Sequence, residues 1–152
     1  MEIERKFLIK QMPEGYEAFP CRHIEQAYLC TRPVVRVRRQ DEEYYLTYKG
    51  EGLLSREEYN LSLDQQAYYH LLDKADGRIL TKTRYLLPAE GYGSLVIELD
   101  VFEGAYQGLM LAEVEFSSVE EALVFIPPGW FGADVTFSGD YHNSRLACGN
   151  GG

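Results

Sequence analysis

At 152 residues, 45% hydrophobic and 13% aromatic, the chain is long enough for one folded domain and too apolar for disorder. A formal charge of −9 excludes an outer surface built for nucleic acid or an anionic membrane, though not a local basic pocket. No run approaches the ~18 apolar residues of a membrane span, and charged residues begin at position 2 with no apolar leader ahead of them. Three widely spaced cysteines (Cys21, Cys30 and Cys148) match neither a zinc nor a disulfide spacing, so a reduced, cytoplasmic protein without membrane association is expected.

Strands are predicted at residues 1–9, 23–31, 34–40, 43–49, 53–63, 78–87, 94–103 and 109–117, from runs of β-branched and aromatic residues. Pro33, Asp41-Glu42, the 49–52 stretch and 88–93 punctuate them as turns. Asp64 is the expected N-cap of a helix that carries Ala67, Leu71 and Leu72 on one side and ends near Gly77. Ser118 with Glu120 and Glu121 opens a second helix through Phe125, stopped by Pro127-Pro128, after which Trp130 and Phe131 form a hydrophobic plug. Residues 1–148 read as a single domain and 149–152 as a frayed tail. The expected fold is mainly β (α+β): about eight antiparallel strands closed, or nearly closed, into a barrel with a few flanking helices, because an open sheet would leave long edges. An open α+β sheet is the alternative.

Period-2 alternation then assigns faces. In the first strand Glu2, Glu4 and Lys6 share one face, Ile3, Phe7 and Ile9 the other, and Arg5 is out of phase with the charged set. The same logic groups Arg36 with Arg38, Thr47 with Lys49, and Arg56 with Glu58 and Asn60. It also groups Lys82 with Arg84, Glu98 with Asp100, and Glu113 with Glu115. Any one such strand reads as the solvated face of an ordinary sheet. The set reads differently, because acidic pairs fall on strands one, seven and eight and basic pairs on strands three and six. Like charges gathered this way repel unless something binds between them. Carboxylates without His or Cys partners suit Mg²⁺ or Mn²⁺, and clustered Arg and Lys suit a phosphate polyanion. Both on one inward face describe a metal–polyphosphate pocket.

Taken in order, Glu2-x-Glu4-x-Lys6, Arg36-x-Arg38, Lys49, Arg56-x-Glu58, Lys82-x-Arg84, Glu98-x-Asp100 and Glu113-x-Glu115 resemble the CYTH domains, or triphosphate tunnel metalloenzymes, over essentially the whole chain. The resemblance implies an eight-stranded antiparallel tunnel with inward charges and divalent-metal-dependent chemistry on a triphosphate. The short length is similar to that of compact bacterial members that hydrolyse inorganic or nucleoside triphosphates. One departure is C-terminal. Compact members carry lysines before the last helix, whereas this chain reads Tyr141-His142-Asn143-Ser144-Arg145-Leu146, a segment expected to cap the barrel or to contact phosphate through Arg145.

The expected reaction is metal-assisted hydrolysis of a terminal phosphoanhydride. Glu2, Glu4, Asp100, Glu113 and Glu115 are the expected metal ligands, with Glu58 and Glu98 in second rank, and Arg36, Arg38, Lys49, Arg56, Lys82 and Arg84 the phosphate-binding set. Lys6 is expected to offset carboxylate repulsion or to act catalytically by contacting the water or scissile phosphate, as a base if its pKa is lowered. Tyr28 either hydrogen-bonds Lys6 across adjacent strands or simply packs. Inorganic triphosphate is the expected substrate, since a compact chain has few residues left to recognise a base or sugar. An adenylate cyclase or thiamine triphosphatase on the same fold, or a non-catalytic polyphosphate-binding module, are the alternatives. Monomer and homodimer both remain open. His23, His70 and His142 form no cluster, and Lys49-Gly50-Glu51-Gly52 lacks the spacing of a phosphate-binding loop.

Overall fold

β1 (Glu2–Ile9) shows how the molecule is assembled: its even-numbered side chains enter a tunnel, and Phe7 on the other face is buried in an apolar layer outside it. The computed structural model describes residues 1–147, without the side chains of Ser144 and Arg145. β2 (Cys21–Thr31), β3 (Val34–Gln40) and β4 (Glu43–Lys49) follow, then β5 (Ser55–Arg56), β6 (Glu58–Leu63) and α1 (Gln65–Leu72). The chain continues through β7 (Asp76–Pro88), β8 (Val96–Phe102), β9 (Met110–Glu115), α2 (Val119–Val124), β10 (Phe131–Asp134) and α3 (Asn143–Ala147). The strands pair antiparallel in the order β10-β1-β9-β8-β7-β2-β3-β4-β6.

A bent segment nearly closes this sheet into a barrel. The strand predicted over 53–63 breaks at Glu57 because its halves serve different neighbours. β5 pairs with β1 (Glu2 opposite Arg56), and β6 pairs with β4 (Lys49 opposite Glu58). Gly52 makes the approach possible: its φ is 138°, and a Cβ there would collide with the Ser55 carbonyl oxygen. The tenth strand was not expected. β10 hydrogen-bonds to the C-terminal half of β1, so Phe131, read from sequence as a plug, is a strand residue. α1 stops at Leu72, short of Gly77, because residues from Asp76 onward are taken by β7, where Asp76 pairs with Tyr28 of β2. Both expected N-caps form: Asp64 accepts from the Ala67 amide at 2.7 Å and Ser118 from the Glu121 amide at 3.1 Å.

The main apolar core lies outside the barrel. Phe7, Leu99, Ala112 and Val114 on the outer faces of β1, β8 and β9 pack with Ala122, Phe125 and Phe131. Arg5, on the same outer face, locks this layer in place. It donates to the Ala122 and Phe125 carbonyls at 2.8 and 3.1 Å and pairs with Asp134 at 2.9 Å. Inside, a second cluster of Tyr28, Val34, Leu80, Phe102 and Leu111 forms a floor, and Leu146 and Ala147 of α3 pack into it. The barrel is thereby free to carry charge in the space above. No helix among the described residues is long and apolar enough to cross a membrane.

Candidate active site

The space above the floor is a cavity of about 530 Å³, lined by six carboxylates (Glu2, Glu4, Glu58, Glu98, Glu113 and Glu115) and six cations (Lys6, Arg36, Arg38, Lys49, Arg56 and Arg84). Strand register divides them. On the acidic wall, Glu4 of β1 stands directly opposite Glu115 of β9, and Glu98 of β8 directly opposite Glu113. Antiparallel sheets are destabilised by like charges in such positions. Oxygens of Glu4, Glu98 and Glu113 lie within 4.8 Å of one another. The Glu4 carboxylate makes no hydrogen bond or ion pair among the described residues, and burial, then the Glu113 and Glu2 carboxylates, push its pKa well above the usual range. A cluster of hard oxygen donors with one unpartnered carboxylate fits a hexacoordinate divalent cation.

The basic wall is built differently. Arg36 and Arg38 of β3 have only neutral neighbours in register: Tyr28 and Thr47 flank Arg36, and Gln26 and Tyr45 flank Arg38. Arg36 donates from one terminal nitrogen to Thr47 at 3.3 Å, and its buried Nε has no partner among the described residues. Arg38 is held through Nε by the Gln26 side-chain oxygen at 2.8 Å. Burial, then the Arg36 and Arg84 guanidiniums, press the Arg38 pKa down to about 9. A guanidinium does not give up its proton under such pressure, so a bound anion would relieve it. Nearer Glu2, Lys49 and Arg56 are occupied in the absence of ligand, at 2.9 and 3.4 Å from the Glu2 carboxylate. Burial opposes that carboxylate, but its cationic neighbours prevail and lower its pKa to about 2.

Between the two walls runs a saturated ion cluster. Arg84 grips both oxygens of Asp100, at 2.7 and 2.9 Å, and also reaches Glu98 at 3.0 Å and Glu113 at 3.3 Å. Lys82, 1% exposed, binds Asp100 at 2.7 Å and the Asn143 side-chain oxygen at 2.9 Å. Lys82 and Asp100 stand behind the cavity wall and do not line it. Lys6 lies between Glu113, at 3.3 Å, and the Tyr141 carbonyl, at 3.1 Å. Burial disfavours its ammonium, but Glu113 and Glu4 outweigh burial and raise its pKa.

Every sequence-predicted residue therefore turns toward the tunnel or its ion cluster, in the phase that alternation assigns. The expected hydrogen bond between Lys6 and Tyr28 across adjacent strands does not form, since β1 and β2 are not neighbours in the sheet and the Tyr28 hydroxyl instead accepts from Gln26 at 3.2 Å. Among the lining or supporting residues that were missed are Gln26, His142 and Asn143. All are uncharged, so a search for segregated charge passes over them. Only the in-phase spacing of Gln26 and Tyr28 offered a sign. The C-terminal segment does plug the barrel, with His142 and Asn143 facing the cavity. The proposed phosphate contact of Arg145 lies outside the described side chains.

Comparison with known proteins agrees with this geometry. A family model described as CYTH domain matches residues 1–126. An inorganic triphosphatase of Nitrosomonas europaea is 45% identical over 152 residues, covering 96% of each chain. An inorganic triphosphatase of Acetivibrio thermocellus is 32% identical over 150 residues, covering 95% of this chain and 92% of its own. A crystal structure of an inorganic triphosphatase superposes with a TM-score of 0.71 at 39% identity, covering 97% of this chain and 95% of the other.

Proposed function

The chain belongs to the CYTH domain family, and from that premise we propose that it hydrolyses the terminal phosphoanhydride of inorganic triphosphate with the aid of Mg²⁺ or Mn²⁺. The observation that carries this reading is the opposition, across one tunnel, of an unpartnered carboxylate at Glu4 and incompletely partnered guanidiniums at Arg36 and Arg38. Each lacks what a metal-bound triphosphate supplies.

Glu4, Glu98 and Glu113 would hold the cation, with Glu2, Glu58 and Glu115 completing the acidic wall. The cation, when bound, neutralises charge on phosphate oxygens and polarises the anhydride. Arg36 and Arg38 grip the phosphate chain, because their planar forks match its oxygens and no carboxylate competes for them. Lys49 and Arg56 join the grip by exchanging Glu2 for substrate. Arg84 presents a fixed positive charge, its orientation set by Asp100, with Lys82 supporting that carboxylate from behind. The Lys6 ammonium keeps its proton between Glu113 and the Tyr141 carbonyl and acts as a charged donor to the scissile phosphate or the attacking water. Phosphoryl transfer depends chiefly on such positioning and charge neutralisation, so no side-chain nucleophile is required.

Purified protein given inorganic triphosphate with Mg²⁺ or Mn²⁺ is expected to release phosphate, to stop in EDTA, and to form no cyclic AMP from ATP. Release that persists undiminished in EDTA would falsify the metal reading. Cyclic AMP as the main product would replace hydrolysis with nucleotide cyclisation. Tight triphosphate binding without turnover would make the protein a binding module.

A further inference from the structure

Gln26 is fully buried inside a tunnel of charges, yet it is neutral and every polar atom it has is used. Its surroundings fix which end of the carboxamide points where. Arg38 can only donate, so the Gln26 atom 2.8 Å from its Nε is oxygen. Lys82 can only donate, so the Asn143 atom 2.9 Å from its Nζ is also oxygen. The Gln26 nitrogen must then face the Tyr28 hydroxyl and the Asn143 oxygen, and it lies 3.2 Å from each. A continuous chain of hydrogen bonds thus runs from Lys82 through Asn143 of the C-terminal plug and through Gln26 to Arg38. Arg84 offers the contrast: it is oriented by a carboxylate, Asp100, which also cancels its charge.

We propose that Gln26 is a positioning residue for the reaction: seated by Asn143 of the plug, its neutral carboxamide fixes Arg38 through Nε alone and leaves the terminal nitrogens, with their charge uncancelled, for phosphate. The inference rests on the triphosphatase reading and on Arg38 binding the substrate. It explains why an amide stands here, since a carboxylate would hold the guanidinium equally well but compete with the ligand.

Steady-state kinetics on inorganic triphosphate with Mg²⁺, alongside thermal unfolding of each variant, tests it. Gln26→Leu should raise KM roughly tenfold and leave kcat within about threefold, the pattern of lost ground-state binding. Gln26→Glu, though closest in shape, should raise KM further. In an Arg38→Met background, Gln26→Leu should change KM less than about twofold, because the effect travels through Arg38. Independent, multiplicative effects of Gln26→Leu and Arg38→Met, or a Gln26→Glu enzyme with unchanged KM, would overturn the inference and leave the triphosphatase reading intact. An unchanged KM in Arg38→Met alone would instead remove the phosphate clamp, and the inference with it. Should Gln26→Leu fail to fold, the same cycle between Asn143→Leu and Arg38→Met decides: non-additive effects support the inference and multiplicative ones sink it.

Discussion

Asp100 and Glu4 are carboxylates on the inner face of one sheet, two strands apart, and the fold treats them in opposite ways. Burial opposes ionisation of both. At Asp100, Arg84 and Lys82 overcome it, and the pKa falls below its ordinary value. At Glu4, the next influences are two more carboxylates, and the pKa rises. A satisfied buried charge is scaffold, whereas an unsatisfied one is a site waiting for its ligand. Asp100 is fully buried and Glu4 partly so, yet what sets their opposite ionisation is the partner each one meets.

The sharpest way to break this comparison is to remove each charge in turn. Glu4→Gln is expected to cut kcat on inorganic triphosphate about a thousandfold or more. In EDTA it should unfold no more easily than wild type, since the change removes an uncompensated carboxylate. Equal losses of activity and melting temperature would erase the distinction. Asp100→Asn should instead cost chiefly stability, about 3–5 kcal/mol of folding free energy, by leaving Lys82 buried without its anion and Arg84 without its bidentate partner. Urea denaturation measures it.

Smaller effects sharpen the boundary between tunnel and exterior. Arg5→Gln, one residue out of phase with Glu4, should keep kcat/KM within about threefold yet lose about 1–2 kcal/mol of stability. Its bonds to the Ala122 and Phe125 carbonyls hold the outer layer and touch no part of the cavity. The smallest effect concerns His142, whose pKa is pulled from 6.5 to about 4 by burial and then by Lys6 and Arg56. Between those values the unfolded chain binds a proton that the native chain does not, so native stability rises with pH across that window and falls as the pH drops through it. His142→Gln should flatten this slope in melts taken from pH 4 to 7, and an unaltered slope would show the imidazole to be in ordinary contact with solvent.

Much of this was legible in sequence because strand alternation leaves no freedom: once Glu2-Ile3-Glu4-Arg5-Lys6 is a strand, Arg5 must leave the tunnel when Glu4 enters it. The sorting of acidic and basic pairs onto different strands was visible for the same reason. Which charge meets which was not. Arg84 and Asp100, read as phosphate and metal ligands, stand opposite each other in the β7–β8 register and bind one another, a pairing set across sixteen residues by strand register. Nor was the kink at Glu57, since it exists only because β1 and β4 both claim that segment. β10 was hidden because Phe131-Gly132-Ala133-Asp134 has no alternation. Gly132 matters for its closeness to β1, where a Cβ would lie 3.2 Å from the Leu8 carbonyl oxygen.

The even count of carboxylates and cations around the cavity has a kinetic consequence. With the lining balanced, the chain's surplus of nine negative charges resides elsewhere, and much of it clothes the exterior. A free polyanion diffusing toward the mouth therefore climbs a repulsive potential, and a triphosphate already complexed with its cation climbs a lower one. Capture should accordingly quicken as inert salt shortens the reach of that field, the reverse of an enzyme that draws its substrate in by long-range attraction.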